Sequence, residues 1–425
     1  MMLALMVGVL GLMQGHAEAF PRYVGGDISL LPDYEAAGSK YNDHDGKPIP
    51  DFLQFCYDEG MNAMRVRLFV DPQAYPGQDP NAKQDLAYII PLCQKIRKAG
   101  LALMLDFHYS DTWADPVKQW TPKAWEGLSD TELYQKIYEY TKETLQTLKE
   151  NGVVPQFIQT GNEISYGMLW GPANTKNPLK VYTNDNTNWP RFLTLLRKAI
   201  QACREECPEA KIVLHNERVA KPEMLKFFYE KVSILDYDII GLSYYPYFHG
   251  NMSVLEKALD TVTETAPDKN VMIVETGYSY RWEVPGTDQK VDYPYSEAGQ
   301  DQFAQDLVNL LLKYDAVDGL FWWWMEYNPY GAGLSGWYNA SLFNPDNGRA
   351  FKAFETICGF GTGHEGIDLG PDPENPDDPN ASVGATGTDD AEGDALWFDV
   401  QGRALKAPTA PGLYIRRGKK VVICN

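Results

Sequence analysis

The amino-acid sequence predicts a (β/α)8 TIM barrel, an α/β fold in which eight parallel strands alternate with helices. Between residues 20 and 360, short apolar runs alternate with longer amphipathic stretches. Eight such strand-helix units in about 340 residues are typical of this barrel with elaborated loops. Several helical patterns also end at a glycine directly before the next strand. A doubly wound open sheet is the alternative fold, but no glycine-rich phosphate-binding loop follows an early strand.

Each predicted strand is a short apolar run bounded by turn residues. In chain order the predicted strands are Tyr23–Ser29, Ala63–Val70, Leu101–Phe107, Pro155–Gln159, Lys211–Leu214, Asp238–Ser243, Val271–Val274 and Val317–Trp323. The predicted helices, which carry apolar residues at helical spacing, include Asp85–Ala99, Asp130–Glu150, Trp189–Glu206, Lys221–Lys231, Ser253–Thr265 and Glu297–Tyr314. Gly60, Gly100 and Gly152 suit the position that closes a helix.

Both ends of the chain differ from this pattern. Residues 1–13 are almost wholly apolar but too short to span a bilayer, and Ala17-Glu18-Ala19 resembles a cleavage site. We therefore expect residues 1–19 to be a signal peptide, residues 20–360 to form the barrel, and the mature protein to be exported without a membrane span. Residues 361–394 hold ten acidic residues and no Lys or Arg, which predicts a disordered linker. Residues 395–425 predict a β-rich tail with strands Leu396–Val400, Gly412–Arg416 and Val421–Cys424.

The charge and composition of the chain limit the classes of partner that it is expected to bind. With 58 acidic against 38 basic residues, its net charge of −20 argues against nucleic acid and anionic membranes. Aromatic residues reach 13%, which favours a surface that binds a ligand by stacking. His108 and His249 are candidate zinc ligands, but no third His or Cys joins them at suitable spacing. The sequence therefore predicts no catalytic metal centre.

Two glutamates follow predicted strands directly. Glu163 closes the fourth strand and Glu275 the seventh. An acid in this position is costly to bury unless it is paired or functional, and a single one is more often a helix cap or an ion-pair partner. Strand ends meet at one mouth of a barrel, where active sites lie. Two glutamates on opposite sides of this mouth therefore indicate a catalytic pair.

Retaining glycosidases use a pair of carboxylates about 5 Å apart, whereas in inverting glycosidases the two carboxylates lie farther apart. One carboxyl must hold a proton for the leaving oxygen, and the other must be ionised to attack the anomeric carbon. Asn162 is placed to donate a hydrogen bond to the sugar 2-hydroxyl. Arg65, on the second strand, is placed to keep Glu275 ionised or to tie barrel strands together by an ion pair.

Aromatic and polar residues are dense at three strand ends. They are Asp106–Pro116 after the third strand, Ser243–His249 after the sixth and Phe321–Trp324 at the eighth. Trp and Tyr rings offer flat platforms for the C–H faces of sugars, although some of these rings are expected to cap the barrel core instead.

These motifs resemble glycoside hydrolase family 53, the endo-β-1,4-galactanases, over residues 25 to about 354. The most specific is His108-Tyr109-Ser110-Asp111-Thr112-Trp113-Ala114-Asp115-Pro116. Others are Gly26-Asp27-Ile28-Ser29, Gly161-Asn162-Glu163-Ile164, Ser243-Tyr244-Tyr245-Pro246 with His249-Gly250, and Glu275-Thr276-Gly277-Tyr278. The resemblance implies a retaining barrel glycosidase that degrades galactan in type I arabinogalactan and pectin.

The resemblance also implies roles for individual residues. Glu163 matches the acid/base, Glu275 the nucleophile, Arg65 the second-strand arginine and Tyr245 the tyrosine that supports the nucleophile. The residues expected to line or support the sugar site are Asp27, His108, Asp111, Trp113, Asn162, His249 and Trp323. Trp323 is the stacking tryptophan expected from the eighth strand, which departs from the usual family pattern.

No cofactor is expected to be required. Some bacterial members of the family hold a structural calcium ion near the loops that correspond to residues 286–295 and 328–337. Asp288, Asp292 and Asn328 supply oxygen atoms there, but not in a known ligand pattern. The tail from Trp397 onward resembles sorting tails of bacterial proteins exported by type IX secretion, which would make the secretion machinery a partner.

The sequence leaves other functions open. The barrel and the two glutamates serve equally for a related retaining enzyme that cuts β-mannan, β-glucan or xylan, and only the His108–Trp113 loop favours galactan. A non-catalytic carbohydrate-binding barrel is a further alternative, which the presence of both glutamates disfavours.

Overall fold

A computed structural model describes residues 21–74, 79–287, 289–331, 340–365 and 367–370, together with the backbone of four short strands between residues 397 and 423. The expected signal peptide lies outside the described residues, as does the expected linker from residue 371 onward. The predicted barrel is confirmed. Eight parallel strands pair in chain order, and the eighth pairs with the first to close the sheet.

The strands lie close to their predicted positions. They are β1 (Tyr23–Asp27), β2 (Ala63–Leu68), β3 (Ala102–Phe107), β4 (Phe157–Thr160), β5 (Lys211–Asn216), β6 (Ile239–Tyr244), β7 (Asn270–Thr276) and β8 (Val317–Trp322). All but three of these strands are buried from end to end, because helices cover the outer face of the sheet and side chains fill the inner one.

Ten α-helices surround the described part of the barrel or cover its ends. They are α1 (Leu31–Ala37), α2 (Phe52–Asp58), α3 (Leu86–Lys98), α4 (Asp130–Glu150), α5 (Trp189–Glu206), α6 (Pro222–Val232), α7 (Pro246–His249), α8 (Met252–Thr265), α9 (Glu297–Leu311) and α10 (Lys352–Cys358). Gly60, Gly100 and Gly152 have φ of 101°, 79° and 74°, which confirms the predicted left-handed residues after α2, α3 and α4.

Apolar side chains from strands β2 to β8 form a cluster inside the barrel. Met104, Phe157, Met272 and Phe321 belong to this interior cluster, and each is at most 3% exposed. A larger apolar layer separates the sheet from the helices. The lower interior is therefore apolar and closely packed.

The compact part of the chain extends past the boundary predicted at residue 360. Ile367 and Leu369 pack against the interior cluster at the lower end of the barrel. The amide of Asn62 donates to the carbonyl oxygen of Gly363 at 2.7 Å, and the Arg97 guanidinium donates to that of Gly370 at 3.0 Å. The acidic composition that predicts a linker from residue 361 conceals these two apolar side chains, which cover the otherwise open end.

The last described segments form an antiparallel four-stranded sheet. Its strands are β9 (Trp397–Phe398), β10 (Ala404–Leu405), β11 (Gly412–Arg416) and β12 (Lys419–Ile423), in the order β10-β9-β11-β12. Three of them overlap the predicted strands of the tail, and its role in sorting stays a prediction. Within the described ranges, no helix has both the length and the apolar character needed to cross a membrane.

Candidate active site

Glu163 lies at the upper end of β4 on a sharply turned backbone. Gly161 has φ of 104° and Glu163 itself has φ of 47°. The left-handed region is unfavourable for a residue with a Cβ, and such strain is concentrated at functional sites. The turn carries Glu163 out of line with the strand, so that its side chain is only half-buried at the mouth of the barrel.

The Glu163 carboxyl has an uncharged hydrogen-bond partner. The Ser243 hydroxyl, at the end of β6, donates to Glu163 Oε1 at 2.7 Å. Burial raises the pKa of Glu163 well above its ordinary value, and the neighbouring carboxylates Glu275 and Glu217 raise it further. The Ser243 hydrogen bond opposes this rise without cancelling it. These effects favour the protonated form of the Glu163 carboxyl.

Glu275 lies at the upper end of β7 and has a cationic partner. Arg65 Nη2 is 2.9 Å from Glu275 Oε1, and the Tyr245 hydroxyl donates to Oε2 at 3.2 Å. Burial raises the pKa of Glu275, while Arg65 and the Tyr245 hydroxyl oppose the rise. Because these two partners favour the charged form and Glu163 has no such cation in contact, Glu275 ionises before Glu163.

Arg65 is fully buried at the centre of the mouth and joins several strands. Its guanidinium is 2.8 Å from Asp106 Oδ2, 3.3 Å from Asp27 Oδ2 and 2.9 Å from Asn162 Oδ1. Burial alone would raise the pKa of Asp106, but Arg65 and His108 outweigh it and lower that pKa. The arrangement fixes the guanidinium beside Glu275 from the β1, β3 and β4 sides.

The two glutamates contact side chains at the upper end of β6 and directly after it. Ser243, which contacts Glu163, and Tyr245, which contacts Glu275, are two residues apart and therefore point to one face. Ser243 is also paired in register with Glu275 across β6 and β7. Glu163 and Glu275 therefore lie at the same mouth of the barrel, where the sequence places them.

Three tryptophan rings surround a second buried guanidinium. The Arg67 Cζ atom lies 4.7 Å from the ring centre of Trp113, 5.1 Å from that of Trp323 and 5.3 Å from that of Trp324. Trp323, predicted as a stacking residue, also lies 5.5 Å from Arg65 and is 7% exposed. Trp113 is more open, with its ring nitrogen donating to Asp79 at 2.9 Å.

Other predicted site residues brace the loops. Asp111 accepts backbone N–H groups of Asp71 and Lys123 at 3.1 and 2.6 Å, so both of its oxygens are engaged. His108 Nδ1 accepts the Ala114 N–H at 3.0 Å, and His249 Nδ1 accepts the Tyr245 N–H at 3.0 Å. Asn162 uses its amide nitrogen on the Ala114 carbonyl at 2.8 Å. These contacts hold the polar loop after β3 and the position of Tyr245.

Four further residues of the site were missed by sequence reasoning. They are His215 and Glu217 at the end of β5, Arg67 on β2, and Glu326 after β8. Glu217 follows an apolar strand, so the rule that finds Glu163 and Glu275 would also have found it. Glu326 is fully buried and accepts the Leu30 N–H at 3.0 Å. Burial and Asp27 raise its pKa well above the ordinary value. It directly follows the apolar run Leu320–Met325, so the same rule would also have indicated it.

Asn328, one of the three oxygen-bearing residues considered for calcium, makes two hydrogen bonds within the protein. Asn328 Oδ1 accepts the Tyr330 N–H at 2.9 Å, and its amide nitrogen donates to the Lys40 carbonyl at 2.7 Å. Asp288 lies outside the described residues. Among those that are described, no group of three or more His, Cys, Asp or Glu side chains is arranged to hold a metal ion.

Comparison with known proteins agrees with this architecture. The sequence profile of Glycosyl hydrolase family 53 matches residues 23–357. The arabinogalactan endo-β-1,4-galactanase of Cellvibrio japonicus is 32% identical over 354 residues, covering 78% of this chain and 88% of that protein.

Two solved structures are similar in fold. The GH53 catalytic domain of Ignisphaera aggregans superposes with a TM-score of 0.69 at 31% identity, covering 81% of this chain and 97% of that one. One of two fungal β-1,4-galactanases superposes with a TM-score of 0.66 at 27% identity, covering 79% and 99%. Residues 23–357 thus carry both the sequence similarity and the site.

Proposed function

The chain belongs to glycosyl hydrolase family 53, and from that premise we propose that it is an exported endo-hydrolase that cuts β-1,4-galactan with retention of anomeric configuration. One observation carries the chemistry. Two carboxyls meet at the barrel mouth, one beside an arginine and the other beside a serine. The substrate follows from the relative in Cellvibrio japonicus, which is an arabinogalactan endo-β-1,4-galactanase.

In the first step, the proton of Glu163 passes to the glycosidic oxygen while the Glu275 carboxylate attacks the anomeric carbon. The bond between that carbon and the leaving oxygen breaks, and a glycosyl ester forms on Glu275. In the second step, the ionised Glu163 takes a proton from water, whose oxygen displaces Glu275. Two inversions at one carbon give net retention.

The residues around Glu275 favour this sequence of events. Arg65 and the Tyr245 hydroxyl stabilise the carboxylate before attack and again when it leaves. Trp323, whose ring centre lies 5.5 Å from Arg65, is the residue that we assign to stacking against the reacting sugar. Asn162 keeps one amide hydrogen beyond its bond to the Ala114 carbonyl, and we assign that hydrogen to the sugar 2-hydroxyl.

The test measures release of reducing ends from β-1,4-galactan, β-mannan, xylan and β-glucan. Wild type is compared with Glu275→Gln and with Glu264→Gln, an exposed glutamate on α8 that serves as the matched control. We expect release from galactan alone, a loss of at least about 10³-fold in Glu275→Gln, and wild-type rates in the control. Proton NMR of the first products should show the β-anomer.

The alternatives give different results. Release from mannan, xylan or glucan instead of galactan would overturn the substrate while leaving the mechanism. Near-full activity of Glu275→Gln would overturn the assignment of the nucleophile. Inactivity on all four glycans, with binding to one of them in affinity electrophoresis, would replace the enzyme by a carbohydrate-binding barrel.

A further inference from the structure

His215 connects to Glu163 at two points. It lies fully buried at the end of β5, and its Nδ1 atom is 3.2 Å from the backbone nitrogen of Glu163. Its Nε2 atom is 2.7 Å from Ser243 Oγ, which in turn is 2.7 Å from Glu163 Oε1. The contacts form a closed loop that begins and ends on one residue.

The donors in this closed loop of hydrogen bonds can be assigned from atoms that can only donate or only accept. The backbone N–H of Glu163 only donates, and the Gln159 side-chain nitrogen also faces His215 Nδ1, at 3.1 Å. Asn162 Oδ1 is 3.0 Å from the same Nδ1 but already accepts from Arg65. Nδ1 therefore faces two N–H donors and one oxygen that already accepts a hydrogen bond from Arg65. This makes Nδ1 an acceptor, so that the ring carries its proton on Nε2.

The ring is also neutral. Burial lowers the pKa of His215 well below its ordinary value, and Arg65 lowers it further, against an opposing effect of Asp106. A neutral imidazole has one N–H, which is the Nε2–H that faces Ser243. Ser243 Oγ therefore accepts from His215 and donates its own hydrogen to Glu163 Oε1.

We propose that His215 and Ser243 are positioning residues that confine the acid proton of Glu163 to Oε2. The inference rests on the proposed function in taking Glu163 as the acid/base. Since Oε1 always accepts from Ser243, the Oε2–H bond is the one that breaks when the glycosidic oxygen is protonated. In the second step the proton from water returns to Oε2. Ser243 and His215 keep their own protons throughout.

The same hydrogen bond sets how readily Glu163 releases its proton. Glu275 on β7, Glu217 after β5 and Asp115 in the loop after β3 all face Glu163 and raise its pKa, as burial does. The Ser243 hydroxyl opposes them because it stabilises the ionised carboxylate. Removal of this hydroxyl should therefore raise the pKa of Glu163 and move the basic limb of the pH profile upward.

The test compares Ser243→Ala with Ser243→Thr, which keeps a hydroxyl, and with Ser341→Ala, a buried serine outside the mouth that donates to the Phe343 carbonyl. The readout is kcat/KM on galactan as a function of pH. Ser243→Ala should move the basic limb up by about one pH unit and lower kcat about tenfold. Ser243→Thr should restore the limb, and Ser341→Ala should leave it in place.

A second readout does not depend on the substrate. The carboxyl band that infrared difference spectra lose in Glu163→Gln belongs to Glu163, and its titration should shift upward in Ser243→Ala. If that variant does not fold, Ser243→Cys keeps the volume with a weaker donor and should shift the band in the same direction by less. An unmoved basic limb and an unmoved band would overturn the inference. A shifted band in a protein inactive on every glycan would instead uphold the hydrogen-bond assignment and refute the proposed activity.

Discussion

Glu163 and Glu275 end two strands of one barrel, yet the first contacts a serine hydroxyl and the second a buried guanidinium. The Glu275 side of the mouth is dense in charge, with Arg65 held between Asp27 and Asp106. On the Glu163 side, the hydrogen-bond partners closest to the carboxyl are the neutral Ser243 and, behind it, His215.

The comparison shows how one cleft prepares two identical side chains for opposite tasks. Burial raises the pKa of both glutamates. The difference comes from the partner, because a guanidinium in contact stabilises a carboxylate more than a hydroxyl does. The proton shared by the pair therefore resides on Glu163, the side without a cation in contact.

The largest expected effect comes from removing the proton donor. Glu163→Gln should lower kcat on galactan by about 10³-fold, since a positioned general acid contributes 10² to 10⁴. On a dinitrophenyl β-galactobioside, whose leaving group needs no proton, the first step should persist and release a burst of dinitrophenolate. Azide, which needs no general base to attack, should then restore turnover and give a β-glycosyl azide.

Glu264→Gln serves again as the control for a neutralised glutamate. If Glu163→Gln lost equal activity on galactan and on the activated substrate, with no burst and no azide product, Glu163 would not be the proton donor. The proposed difference between the Glu163 and Glu275 sides of the mouth would then be contradicted. The same pattern of burst and rescue in Glu275→Gln would show that the two roles are exchanged.

A smaller effect is expected on the nucleophile side. Tyr245→Phe removes the hydroxyl that donates to Glu275 Oε2, so the pKa of Glu275 should rise and its ionised fraction at acidic pH should fall. We expect the acidic limb of kcat/KM to move upward and the value below that limb to fall about tenfold. The measurement is the pH profile on galactan.

Tyr237→Phe is the matched control, because Tyr237 is 2% exposed and its hydroxyl has no hydrogen-bond partner among the described residues. If Tyr245→Phe moves only the acidic limb of the pH profile while Ser243→Ala moves only the basic limb, the two glutamates titrate separately, each under the control of its own hydrogen-bond partner. A change in the basic limb alone after Tyr245→Phe would contradict the assignment.

The barrel could be predicted from the sequence because its strands are covered on both faces. Such strands appear as apolar runs, and glycines such as Gly60 close the helices between them. The short helices α1, α2 and α10 give too few turns for a clear periodicity. The contribution of Ile367 and Leu369 is also hidden locally, because it depends on the open end of a barrel formed by distant strands.

The site could be predicted in part for a related reason. Glu163 and Glu275 stand out because acids directly after apolar strands are unusual. His215 does not, because the predicted fifth strand ends at Leu214 and a single histidine beside it carries no signal. Its neutral state and its proton on Nε2 depend on Gln159 and Ser243 from the neighbouring strands. Sequence patterns therefore indicate the reacting groups, whereas the groups that orient them emerge from contacts across the sheet.

A carboxyl at the opposite end of the barrel isolates the effect of burial. Asp318, near the start of β8, is 7% exposed, accepts the Asn270 amide at 2.5 Å, and has a pKa raised to about 7 by burial, against the more distant Arg22. A folded pKa above the ordinary value means that the folded state binds the proton more tightly, so stability is lost as pH rises from about 4 to 7.

Asp318→Asn should therefore raise the melting temperature at pH 8 and change it little at pH 4, with a gain on the order of 1 to 3 kcal/mol. The readout is the difference in thermal unfolding between variant and wild type at each pH, with Asp315→Asn on the neighbouring loop as the control. An equal effect at both pH values would show that burial without a cation is not what raises a carboxyl pKa in this barrel, and the contrast between Glu163 and Glu275 would then need another cause.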